Sequence, residues 1–73
     1  MNLLDLHGIK HSEVQVILDQ FLWENMKKNQ NEVAVITGHS DQMKNIVRNY
    51  VNDYNMTCQE EYLNSGKFII KLV

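Results

Sequence analysis

The spacing of apolar residues along this chain switches between clusters, alternation and a helical period, and the switches mark out its elements. Leu3, Leu4 and Leu6 predict a first strand over residues 2–7, closed by Gly8. Ser12 followed by Gln15 is a capping-box pattern, which predicts that a helix opens there. Val14, Ile17, Leu18, Phe21 and Leu22 then fall on one helical face, and the helix is expected to run to about Lys28. Lys27 and Lys28 suit the negative end of its dipole. Asn29 to Asn31 read as a connection, and EVAVITG, residues 32–38, reads as a β-branched strand stopped by Gly38.

Ser40 or Asp41 can cap a second helix. Its apolar face is Met43, Ile46, Val47, Tyr50, Val51 and Tyr54, which places both tyrosines in the core. Residues 57–63 predict a third strand, weakened by Glu60 and Glu61. Asn64, Ser65 and Gly66 are turn residues, and residues 67–73 predict a fourth strand with Phe68, Ile70 and Leu72 inward.

The order βαβαββ has one economical solution. Strand–helix–strand units cross over right-handedly, so the first strands run parallel and both helices cover the same face. The last hairpin adds an antiparallel pair. The expectation is an α/β fold: a two-layer sandwich with a mixed four-stranded sheet and two helices on one face, a single domain over residues 1–73.

This topology gives a place to polar residues that a core strand does not need. Side chains alternate along a strand, so Leu4 and Leu6 can face the helices while Asp5 and His7 share the other face. They stand at the carboxyl end of the strand, where α/β sheets place ligands. The loop TGHSD ends on the same edge, so Asp5, His7, His11, Thr37, His39 and Ser40 are expected to converge.

Each of these has two readings. His7 beside Asp5 is either a surface pair that finishes the strand or an oriented imidazole able to move a proton. Gly38 to Asp41 is either a plain strand-to-helix turn or a phosphate seat at a helix N-terminus. Lys44 either neutralises a phosphate oxygen or is a solvated lysine. His39 is the better candidate for substrate contact, with His11 second. No histidine pair has a metal-site spacing, so no metal is assigned. Trp23 lies off the apolar stripe near Val16 and Lys27, either as a stacking or partner surface or folded over the domain edge. Glu60 and Glu61 repel phosphate, so the third strand is expected to lie away from a nucleic-acid substrate.

Composition narrows the partners. The apolar share of 44% over 73 residues is ordinary for one small domain, which buries only about 60% of its unfolded surface. Apolar runs fall far below the roughly 18 residues of a membrane span, and the first residues lack a signal-peptide layout. The single cysteine, Cys58, fits a reducing cytosol, and a cytoplasmic location is expected. A net charge of −2 argues against a broad grip on nucleic-acid backbone but leaves room for a few well-placed donors.

LDLHG at residues 4–8 and ITGHS at 36–40 together resemble the two motifs of the Smr (small MutS-related) domain family. Lys44 stands at that family's basic position in the following helix, and YLNSGKFIIKLV is similar to its closing hairpin. The resemblance covers essentially the whole chain, as a bare, stand-alone domain whose targeting segment would be another polypeptide. Ser40 is a departure: the family usually has glycine there, which lets backbone approach a phosphate closely. A serine restricts the loop, or lends a hydroxyl and caps the helix.

The resemblance implies an endonuclease acting on RNA or DNA, in some members on mRNA at stalled ribosomes. On that basis His7 is the general acid/base and Asp5 its orienting partner. Gly8, Thr37, Gly38, His39, Ser40 and Lys44 are phosphate-binding. RNA comes first because its 2′-hydroxyl is a built-in nucleophile, whereas DNA hydrolysis usually recruits a divalent metal. The other reading, favoured by Ser40 and the acidic balance, is a non-catalytic adaptor that binds nucleic acid or a ribosome. Either a monomer or a weak homodimer is compatible with the chain, with no membrane partner.

Overall fold

The computed structural model describes residues 2–61 and 63–72. Its elements are β1 (Asn2–Asp5), α1 (His11–Lys27), β2 (Glu32–Ile36), α2 (Asp41–Asp53), β3 (Thr57–Glu61) and β4 (Asn64–Lys71). They form the expected βαβαββ order, with a mixed four-stranded sheet and two helices. The sheet order is β1-β2-β4-β3. β1 and β2 run parallel, and β4 is antiparallel to both β2 and β3. β4 therefore lies between β2 and β3, so residues far apart in sequence meet at the sheet edge.

Alternation builds the core. Val33 pairs with Ile70 and Val35 with Phe68, and all four are fully buried beneath the helices. Val14, Leu18 and Leu22 of α1 and Met43, Val47 and Val51 of α2 close that layer. Asn25, also buried on α1, donates to the Phe21 carbonyl and accepts from Asn2 Nδ2, tying the start of β1 to the helix.

Both helices end the same way. Asn29 and Asn55 adopt left-handed φ angles of 60° and 58°. The amide after each reaches back to a carbonyl in the last turn, Gln30 to Asn25 and Met56 to Val51 at 3.0 Å. Asparagine tolerates this conformation, so it closes a helix in place of glycine.

Several boundaries differ from the sequence expectation. Ser12 does not cap α1. The helix begins two residues earlier, with Lys10 at the cap position and no side-chain bond there, and Ser12 is exposed within the first turn. Nothing in the Ser12–Gln15 pattern required this, because a capping box specifies a spacing and tertiary contacts set the start. Residues 64–66 are strand and not turn, because Asn64 pairs with Glu61 beside an irregularity at Glu60 and Glu61. The expected strands over 57–63 and 67–73 each include a residue, Tyr62 and Val73, that lies outside the described residues.

Tyr54 is 54% exposed and not a core residue, with its ring 4.8 Å from that of Tyr50, which is buried. It is the capping residue after α2, where the helical period no longer dictates its direction. Trp23 is 56% exposed, and no helix among the described residues is long and apolar enough to cross a membrane.

Candidate functional site

The carboxyl ends of β1 and β2 and the start of β4 meet at one edge. Leu6 N–H donates to the Ile36 carbonyl at 2.8 Å, so pairing continues one residue beyond β1. The chain then turns: Ile9 N–H donates to the Leu6 carbonyl at 3.0 Å, with Gly8 at φ 83°. A positive φ at the third position of a turn is the type II arrangement, which calls for glycine. His7 occupies the second position and is exposed. The strand reading over 2–7 therefore shortens, because His7 belongs to the turn.

Among the described residues Asp5 makes no hydrogen bond to the His7 ring. Its Oδ1 accepts the His7 backbone N–H at 2.9 Å, the two-residue turn typical of an aspartate. The imidazole lies beside Gly38, whose φ is 68°. A Cβ added to Gly38 would lie 3.0 Å from His7 Cδ2. The absent side chain is thus the space in which the ring sits, and LDLHG and TGHS meet at this contact.

The third part of the site comes from β4. The Gly66 carbonyl accepts Thr37 N–H at 2.8 Å and Gly38 N–H at 3.1 Å. Thr37 Oγ1 turns inward, buried, and donates to the Gly38 and Gly66 carbonyls at 3.0 and 3.3 Å. A Cβ on Gly66 would come within 3.3 Å of the Gly38 backbone, so glycine at 66 lets the two segments approach this closely. His39 reaches the same strand, its Nδ1 3.5 Å from Ser65 Oγ.

Ser40 starts α2. It has an ordinary extended backbone, and its Oγ accepts Met43 N–H at 3.1 Å. The serine therefore needs no glycine-like conformation, and its hydroxyl serves as the helix cap. Among the described residues no group takes the amides of Asp41 and Gln42, which stand at the positive end of the α2 dipole.

Lys44 is positioned differently from its sequence reading. Its side chain is buried to 11% exposure, and Nζ faces Glu60 Oε1 at 3.8 Å. Arg48 contacts the same oxygen at 2.7 Å and lies 5.0 Å over the Phe68 ring. Glu61 is paired with Lys67 at 3.3 Å. β3 is the far edge strand from β1, yet Glu61 pairs with Asn64, which puts its carboxyl end at the same edge as Gly38. The acidic pair is tolerated there because Lys44, Arg48 and Lys67 answer it.

The edge thus brings together His7, Gly38, His39, Ser65 and Gly66. His11 is the first, half-buried residue of α1 and makes no hydrogen bond to the others among the described residues. Exposed Lys10 precedes it and adds a cation near the turn. Ser65 and Gly66 escaped sequence reasoning because hydrophobic alternation gives strands but not their order, and only the insertion of β4 beside β2 brings them here. No three His, Cys, Asp or Glu side chains among the described residues gather as a metal site, so these groups alone do not form a cage for a divalent ion.

No curated protein and no solved structure matches the chain. A family model described as the Smr domain matches residues 4–67 of the 73, from the first motif through the start of the closing hairpin, and the chain belongs to the Smr domain family.

Proposed function

We propose that this domain cleaves the phosphodiester backbone of nucleic acid, RNA in preference to DNA. His7 moves the proton, and the loop entering α2 seats the phosphate. Membership of the Smr family connects the chain with nuclease or nucleic-acid-binding functions. The observation that carries the finer reading is the contact of the His7 ring with Gly38. It sets an exposed imidazole against the loop that enters α2, and the open amides and dipole at that helix start favour an anion. A phosphate seated there brings its phosphorus to the histidine. RNA is the better substrate because a side-chain base can activate its own 2′-hydroxyl.

A binding module without catalysis is the second reading, favoured by two contacts. The Asp5 carboxylate serves the turn and Lys44 faces Glu60, so two groups that would assist cleavage are engaged elsewhere.

End-labelled RNA, structured and single-stranded, and matching DNA separate the two when incubated with wild type and His7→Ala, with and without EDTA. Cleavage by wild type that disappears in the folded variant supports the nuclease. Retained binding with no cleavage by either protein assigns the adaptor role.

A further inference from the structure

We propose that His39, held by Ser65 of β4, is the second proton-transfer group of this site and protonates the leaving oxygen while His7 deprotonates the nucleophile. The inference rests on the nuclease reading above and assigns a second residue to it.

Two features of the geometry carry it. First, the imidazoles are anchored on adjacent positions. His7 Cδ2 lies 3.0 Å from the Cβ position of Gly38, and His39 is the next residue. Standard backbone dimensions then keep the His7 ring within about 8 Å of the His39 Cα. Second, the His39–Ser65 contact at 3.5 Å is surplus to the fold. The loop is already clipped to β4 through the Gly66 carbonyl, which accepts both Thr37 N–H and Gly38 N–H. An exposed bond in parallel with those contributes little stability. What it does is fix a ring. With Nδ1 facing Ser65 Oγ, Nε2 is the ring nitrogen left to carry the transferable proton in this proposal.

The step balances with these two groups. His7 takes the proton of the 2′-hydroxyl, whose oxygen forms the new bond to phosphorus. The bond from phosphorus to O5′ breaks, and His39 gives its Nε2 proton to O5′. The products are a 2′,3′-cyclic phosphate and a 5′-hydroxyl. His7 ends protonated and His39 neutral.

A leaving group that needs no proton tests this directly. RNA with the ordinary bridging 5′-oxygen is compared with the same RNA carrying a bridging 5′-sulfur, using wild type, His7→Ala, His39→Ala, Ser65→Ala and Ser65→Thr, each shown folded by circular dichroism. The expected result is that His39→Ala loses on the order of 10²–10⁴-fold on the oxygen substrate and stays within a few-fold of wild type on the sulfur one. His7→Ala loses on both. Ser65→Ala shows a smaller loss confined to the oxygen substrate, restored by Ser65→Thr, as a positioning residue requires. Equal losses on both substrates for His39→Ala, or no loss on either, overturns the assignment while leaving a nuclease in place. A wild type that binds but cleaves neither substrate overturns the nuclease reading itself and this inference with it.

Discussion

Asp5 Oδ1 holds the backbone N–H of His7 at 2.9 Å, so the carboxylate fixes the turn that presents the imidazole. An oxygen acceptor is all this requires. Asp5→Asn is therefore expected to keep most of the cleavage rate and stability. Asp5→Ala, lacking the acceptor, should lose about 1 kcal/mol and several-fold in rate. Cleavage rates and urea midpoints of the two variants check this. A carboxylate that worked by orienting the ring through its charge would make Asn as damaging as Ala.

Gly8 and Gly38 share a left-handed backbone but not a neighbourhood. A Cβ on Gly8 meets nothing within 4 Å, whereas one on Gly38 meets the His7 ring at 3.0 Å. Alanine at either position should cost about 1–2 kcal/mol from backbone strain. Only Gly38→Ala should also displace the ring and abolish cleavage. Rates measured at a temperature where both variants are fully folded distinguish the effects. Equal loss of cleavage in both would show that the ring contact with Gly38 does not matter.

Lys44 illustrates how a correct motif position carries a different local role. Its ammonium faces Glu60 from a buried position, so it has little freedom to neutralise a phosphate. The salt dependence of RNA binding reads this out. Lys44→Gln should leave the slope of log Kd against log salt unchanged, while Lys10→Gln, at the exposed cap of α1, should reduce it by about 0.7. A reduced slope for Lys44→Gln would mean that the lysine leaves Glu60 when RNA binds.

Much of this was legible in the sequence because it depends on period. Val33, Val35, Phe68 and Ile70 alternate and are buried, and the α2 stripe from Met43 to Val51 faces the core. The convergence of residues 5–8 with 37–40 followed from two parallel strands ending at one edge. What the pattern did not hold was order and direction. It could not place β4 between β2 and β3, so Ser65 and Gly66 were unconnected with Gly38. It gave Asp5 and His7 as neighbours without telling a bond to the ring from a bond to the amide. It extended the α2 stripe to Tyr54, one position beyond the last helical turn, where the side chain is no longer directed inward.

Tyr50 ties α2 to α1 through a hydrogen bond from its hydroxyl to Asp19 Oδ1. Burial, and then that bond, push its phenol far above the ordinary value of 10.0. The sign of the consequence follows from linkage. Below pH 10 both folded and unfolded chains keep this proton, and the contribution to stability is complete. Above about pH 10 the unfolded chain releases it while the folded chain does not, so stability falls with rising pH by up to about 1.4 kcal/mol per unit. Tyr50→Phe should be less stable than wild type at pH 8 by about 0.5–1.5 kcal/mol for the lost bond. The gap should then narrow steadily from pH 10 upward, because only wild type carries this titration. Urea denaturation of the two proteins at intervals from pH 8 to pH 11 measures it. A gap that stays constant across that range would mean that Tyr50 releases its proton equally from the folded and the unfolded chain.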